Sequence, residues 1–337
     1  MHQVASDLNK AKREPFFDLA VADWDHRDCS TGDSLQEKIL GWLSPPDPWK
    51  NHHAARKSRH RGTAEWFIHG NTFSEWRTSE VPGSLLWVHG KRLSIPRFSD
   101  STETKLIFLS FRSGRWKKRV LVRENFLFPF RELIVFISSA IIEDIHAMQK
   151  AGLASLAFFY CDFREDRKKE LRGLLSSFLV QLCHQSDSYF DILSNFYTEH
   201  NKGSRSPSDD ALAGCLTDLL ILPGLAPVYL IVDALDECPK PTVVRSPRAE
   251  VLSFIEELVA TKIMNLRVCV TSRPELDIKV VLDPLIFRSV SLHDESGQKS
   301  DIEDYIKSVI NTRTTKRWKE EHRKLAIDVL IEKSNGM

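Results

Sequence analysis

Val228-Tyr-Leu-Ile-Val-Asp233-Ala-Leu-Asp236-Glu237 runs five apolar or aromatic residues straight into three carboxylates within five positions. A stretch that is apolar at every position, not at every second one, predicts a strand covered on both faces, as in a parallel sheet. Acids at the end of such a strand fall at the carboxyl edge of the sheet, where open α/β folds bind ligands. Asp233 at the strand tip can hold Mg²⁺ through water. A second carboxylate, Asp236 or Glu237, can orient or deprotonate a water that attacks a phosphoryl group. The small Ala234 lets the chain turn without crowding. The competing reading is a capping cluster that only solvates a loop, but three like charges this close repel one another unless a cation is present.

Three more runs share the apolar signature: Ser84–Val88, Ala154–Tyr160 and Leu266–Val270. Helical patterns lie between them. Leu171, Leu174, Leu175, Phe178, Leu179 and Leu182 form a full apolar stripe, and 211–221 and 251–260 are shorter cases, the latter after Ser246-Pro247. Strands alternating with helices predict βαβ units and an α/β fold on a parallel sheet. The last of these strands ends in Thr271-Ser272-Arg273-Pro274, two hydroxyls and a guanidinium, about one βα unit after the acids. Trp66, Phe67, Phe73 and Trp76 recur at roughly helical intervals and read as core. The stretch 52–61, with Arg56, Lys57, Arg59, Arg61 and three histidines, reads as a solvated linker face, with a phosphate- or acid-binding patch as the alternative.

The 337 residues suggest about two units. With 42% hydrophobic residues the chain can bury a sizeable core. The net charge of +1 gives no overall field to draw nucleic acid or a membrane. The charge is unevenly spread, however: residues 91–131 hold eleven Lys/Arg against three acids, so they carry +8 and the rest carries −7. The six cysteines are scattered without a CxxC, which disfavours zinc or a disulfide framework. There is neither a secretory leader nor an apolar run long enough to span a bilayer, so the expected location is cytoplasmic.

The Asp233-Ala-Leu-Asp236-Glu237 run resembles the Walker B motif of NACHT domains, and Thr271-Ser272-Arg273-Pro274 resembles their sensor 1. Gly62-Thr-Ala-Glu-Trp66-Phe with Phe73 and Trp76, then Gly83-Ser-Leu-Leu-Trp-Val-His-Gly90, is similar to the lead-in of fungal NACHT proteins, which are STAND-class signalling NTPases also described as nephrocystin-3-like at their N-terminus. Asp162-Phe163-Arg164 fits the same pattern, and the resemblance covers roughly residues 40–337. It implies a three-layer α/β/α P-loop NTPase core over 81–291. A helical or flexible segment (1–44) and a linker and lead-in (45–80) would precede it, and a truncated helical segment (292–337) would follow. It also implies ATP or GTP with Mg²⁺ and self-oligomerisation with other protein subunits, while charge and hydropathy give no membrane partner and argue against nucleic acid. In those terms Asp233 would ligate the metal, Asp236 or Glu237 would activate water, and Gly90, Lys91, Thr271 and Arg273 would contact nucleotide.

One part of the pattern is missing. A P-loop needs Gly-x-x-x-x-Gly-Lys-[Ser/Thr], whose backbone N–H groups and lysine cradle phosphates. Gly90-Lys91 is the only Gly-Lys pair in the chain and Arg92 follows it. The basic stretch 92–136 stands where the loop belongs, and the expected first helix resumes at Ile137-Ser-Ser-Ala-Ile-Ile-Glu-Asp-Ile145. Two explanations stand: non-coding sequence that displaced the motif, or a genuine insertion in a non-hydrolysing member. Either way the expectation is poor ATP or GTP binding and negligible turnover. A non-catalytic scaffold is the rival function.

Overall fold

The computed structural model describes residues 33–59, 62–90, 106–113, 116–123, 133–224, 226–240 and 246–292, with eight helical positions beyond them. Lys91 and most of the helices expected over 301–310 and 316–332 lie outside the described residues. Helices α1 (Asp33–Leu43), α2 (Trp49–Ser58), α3 (Glu65–Ile68) and α4 (Asn71–Arg77) lead into strand β1 (Ser84–His89). A hairpin, β2 (Leu106–Ser113) and β3 (Trp116–Arg123), follows. The core continues through α5 (Leu133–Lys150), β4 (Ser155–Tyr160), α6 (Leu171–Cys183), α7 (Asp187–Glu199), α8 (Asp209–Leu220) and β5 (Val228–Asp233). It closes with α9 (Pro247–Ala260), β6 (Leu266–Ser272), α10 (Leu276–Leu282) and β7 (Ile286–Ser291).

Five strands form one sheet in the order β4-β5-β6-β1-β7, parallel at every pairing. The α/β parallel-sheet class expected from the four apolar runs is the observed one. The reason the runs are continuous is visible in the packing. Leu85, Trp87, Ala157, Phe159, Leu230, Val232, Val268 and Val270 point into one core with α6, α8 and α9. Their neighbours Leu86, Val88, Leu156, Phe158, Tyr229, Ile231 and Cys269 point into a second core with α5 and the lead-in helices. Alternation is present, but both faces are buried, so every position has to be apolar.

The β4 edge is closed by side chains. Gln181 near the end of α6 and Gln185 in the turn just after it act as surrogate peptide groups. Gln185 Oε1 accepts from Leu156 N–H (2.9 Å) while its Nε2 donates to Leu156 O (2.6 Å). Gln181 does the same for Phe158, at 3.1 and 2.8 Å. The row of backbone groups that would template another strand is thereby satisfied.

Two expectations need correction. The 52–61 stretch is not a solvated linker. Its residues 52–58 form most of α2, with Lys57 and its neighbours solvated as expected but with His52 buried and with Arg56 and Arg59 both paired to Glu143 on α5; His60 and Arg61 lie outside the described residues. Positions 52, 55, 56 and 59 share one helical face, a periodicity hidden by the charge of its members. The basic 92–136 stretch, given no element of its own by the sequence reading, holds the antiparallel hairpin β2–β3, paired from Leu106↔Arg123 to Ser113↔Trp116. Strand β7 and helices α7 and α10 were also not anticipated. Among the described residues no helix is long and apolar enough to cross a membrane.

Candidate functional site at the carboxyl edge of the sheet

Because all five strands run the same way, β4, β5, β6 and β1 end on one rim. The register sets Tyr160 beside Asp233, Val88 beside Thr271 and His89 beside Ser272. Strand parity then points Tyr160, Asp233 and Thr271 toward α5, the side of the second core.

Asp233 is 1% exposed, and its Oδ1 accepts a 2.6 Å hydrogen bond from Thr271 Oγ1. The same hydroxyl accepts from Ala234 N–H at 3.0 Å. Ala234 sits in the left-handed region (φ 56, ψ 43), which starts the tight turn over Leu235–Glu237. A larger or branched side chain would be strained there. Burial pushes the Asp233 carboxyl up to about 6, against the hydrogen bonds from Thr271 and Ser138 and with help from the charge of Asp236.

The other two acids are held differently. Asp236 Oδ1 accepts from Arg273 N–H (3.0 Å) and Oδ2 pairs with Arg273 Nε (3.0 Å), so the residue expected at a sensor position neutralises the acid turn. Glu237 is pushed up to about 6, first by burial and then by the charges of Asp162, Asp236 and Asp233. The expected mutual repulsion of the trio is therefore met by one arginine, by hydroxyl donors and by raised proton affinity. Asp162, at the end of β4, is held down to about 2 chiefly by Arg164, which grips both its oxygens at 2.8 and 2.7 Å.

Sequence reasoning missed three supports. Arg248 on α9 is buried. It donates through Nε to Cys238 O (2.9 Å) and through Nη2 to Asp236 O, and it pairs with Glu275 and Asp277 beyond β6. It ties the acid turn to the loop that carries Arg273. Ser138 on α5, buried and donating its hydroxyl to Val135 O (2.9 Å), lies beside Asp233 and Tyr160 and lowers the proton affinity of both. The Tyr160 hydroxyl meets Nδ1 of His52 at 3.1 Å. Burial, then the charges of His53, His146, Arg56 and Arg59, push His52 down to about 3, so it is neutral. The sequence marks their positions, an arginine directly after Ser246-Pro247 and a Ser-Ser pair inside the otherwise apolar start of α5, but not their partners, which lie on other elements.

The β1 end of the rim is of another character. Gly90 N–H reaches Ser272 O at 3.4 Å. A Cβ placed on Gly90 would lie 3.3 Å from Leu292 Cβ and 3.5 Å from Ile134 Cδ1. The end of β1 and the start of α5 are thus neighbours, with apolar side chains on the Cβ side of the position where the phosphate loop would start. Trp87 Nε1 donates to Ser272 Oγ (2.9 Å), and the Trp87 and His89 rings lie 4.3 Å apart.

Mg²⁺ with a nucleotide would ask two things of this rim. Oxygen donors for a hydrated hard cation are present in Asp233, Thr271 and Ser138. Among the described residues no three His, Cys, Asp or Glu side chains form a metal cage, so such a cation would keep much of its water. Among the described residues no glycine-rich loop offers donors to phosphate oxygens: the sequence has no P-loop, and a side chain at Gly90 would meet Leu292 and Ile134. The metal side fits the group and the phosphate side does not.

Residues 135–273, less than half of the 337-residue chain, match the family described as nephrocystin 3, N-terminal. The matched stretch runs from the start of α5 to Arg273, and so takes in the acid turn and leaves out β1 and the basic stretch. No curated protein sequence matches. Among solved structures, the chain is similar to an ORC2 protein of Aeropyrum pernix, described as ADPNP and ADP complexes. That likeness has 8% identity and a TM-score of 0.36, and covers 84% of this chain and 67% of that one.

Proposed function

We propose that this chain is the nucleotide-binding module of a NACHT-type, STAND-class signalling NTPase, with its metal side kept and its phosphate side lost. The observation that carries the reading is the buried Asp233–Thr271 pair on the same rim as the end of β1. A carboxylate is worth burying at a strand tip when it has a cation to serve, and neighbouring parallel strands put that cation where phosphates would sit. In this reading Asp233 holds hydrated Mg²⁺, Glu237 is the water-directed base, and Asp236 is occupied by Arg273. Charge-assisted contacts to phosphate are worth roughly 1.5–3 kcal/mol each, and losing several weakens binding by orders of magnitude. ATP or GTP then binds weakly and turns over negligibly, in a cytoplasmic protein that signals through protein partners.

A scaffold without nucleotide is the second reading, favoured by the carbon lining around Gly90. One replacement separates the two. The segment 91–135 is exchanged for x-x-x-x-Gly-Lys-Ser, so that Gly90 becomes the first glycine of a P-loop joined to α5 at Phe136. Calorimetric titration with Mg²⁺ and ATP or GTP should show saturable binding in the graft, lost again on Asp233→Asn. A folded graft that binds neither nucleotide supports the scaffold.

A further inference from the structure

The connection between α7 and α8 carries a serine that nothing above uses. The chain has three Ser-Pro dipeptides, beginning at Ser44, Ser206 and Ser246, and the fold treats them differently. Ser246 is 3% exposed and caps α9, its Oγ accepting from Ala249 N–H at 3.1 Å. Ser44 is exposed, but it closes α1 in the left-handed region, at φ 44. Ser206 is exposed and lies in the irregular chain between the turn after α7 and the start of α8. Pro207 follows it and disfavours the helical conformation at Ser206, so the hydroxyl is offered on extended chain. An exposed serine on extended chain before proline is the form in which proline-directed protein kinases take a substrate hydroxyl.

A receiver for the phosphate is already in place. Arg172, in the first turn of α6, donates through Nη2 to Ser206 Oγ (2.7 Å) and Pro207 O (2.9 Å), and through Nη1 to Asp209 Oδ1 (2.8 Å). The Arg172 and Asp209 side chains are each 40% exposed, so the pair is open to solvent. Within four residues of Ser206 the chain holds Lys202 and Arg205 against Asp209 and Asp210, which balance. Arg172 is therefore the cation that tips the site toward an anion. A phosphoserine carries about −1.5 to −2 charges and three strong acceptor oxygens, and so draws a guanidinium away from a single carboxylate. The loop around it is fixed: Trp42 Nε1 on α1 donates to Arg205 O (3.1 Å), and Ser208 Oγ caps α8 through Ala211 N–H (3.1 Å).

We propose that Ser206 is a phosphorylation site for a proline-directed protein kinase, and that Arg172 receives the phosphate. Ser206 Oγ attacks the γ-phosphorus of the kinase's Mg²⁺-ATP. The Oγ–P bond forms, the bond to the ADP oxygen breaks, and the hydroxyl proton leaves to the kinase's base. Arg172 then turns from Asp209 to the phosphate. The full chain is incubated with a purified proline-directed kinase and ATP, and the modified residues are mapped by mass spectrometry, alongside Ser206→Ala, Ser44→Ala and Ser246→Ala. The wild type should take up a single phosphate, on Ser206. Ser206→Ala should lose it, and the other two variants should keep it. By phosphorus NMR the phosphoserine should titrate about 0.5 pH lower in the wild type than in phosphorylated Arg172→Met, because a neighbouring cation favours the dianion. Arg172→Lys, which keeps the charge without the fork, should fall between them. An unmodified Ser206 under conditions that phosphorylate a Ser-Pro peptide overturns the proposal. So does modification chiefly at Ser44 or Ser246, or a phosphate that titrates alike in the wild type and both Arg172 variants.

Discussion

The two halves of the rim differ in kind. At the tips of β5 and β6 polar groups answer one another: Thr271 serves Asp233 and Ala234, Arg273 serves Asp236, and Arg248 binds the turn from behind. At the tip of β1 the glycine sits among carbon atoms of Leu292 and Ile134. The difference teaches that the acid half is held by the protein's own polar groups, while the last described residue of the β1 end, Gly90, is buried against Leu292 and Ile134. Losses on the acid side should therefore be large and pH-dependent, and changes at Gly90 should be small.

Arg248→Met should have the largest effect. It leaves two carbonyls without their donor and takes the buried cation from Glu275, which keeps the exposed Lys240, at a cost of about 2–4 kcal/mol by urea unfolding. A cost below about 1 kcal/mol would mean the acid turn stands without α9.

Next comes the pH profile. Burial holds the carboxyls of Asp233 and Glu237 up to about 6 in the folded chain, against ordinary values of 3.8 and 4.5. Between about pH 4 and 6 the folded state thus keeps protons that the unfolded chain has released, so stability falls as pH rises through this window and stays lower above it. Asp233 alone accounts for up to about 3 kcal/mol. Asp162 runs the other way, contributing stability above 3.8 that is lost as pH falls toward 2. Unfolding free energies at pH 4, 5, 6 and 7 should decline in that order, and Asp233→Asn should flatten most of the slope. A wild-type profile that rises from pH 4 to 7 breaks the contrast between the halves.

Thr271→Val removes the donor to Asp233 and the acceptor for Ala234 N–H, and should cost about 1–3 kcal/mol, more at pH 8 than at pH 5. Gly90→Ala is the mildest. The added methyl meets side-chain carbon at ordinary to slightly tight distances, so unfolding should shift by less than about 1 kcal/mol. Equal costs for these two substitutions would erase the distinction.

How legible this was in the sequence depends on what each residue's signal required. The four core strands were readable because burial on both faces leaves an unbroken apolar run. Strand β7, Ile286-Phe-Arg-Ser-Val-Ser291, is an edge with mixed burial and gives no such run. Helix α2 was obscured because its buried face includes a histidine, and its arginines find their acid 84 or more residues away, at Glu143. At the site, the acids and the strand-end hydroxyl of Thr271 could be singled out, because strand ends are local. Arg248, Ser138 and His52 could not, because their roles exist only once α9, α5 and α2 pack against the rim.

The most direct test is the affinity of the unaltered chain for Mg²⁺-ATP and Mg²⁺-GTP, measured by calorimetry with turnover followed in parallel. The account predicts no saturable binding below about 1 mM and no steady phosphate release. Saturable micromolar binding with sustained hydrolysis would contradict it, since a β1 end packed with carbon would then have to hold phosphate after all.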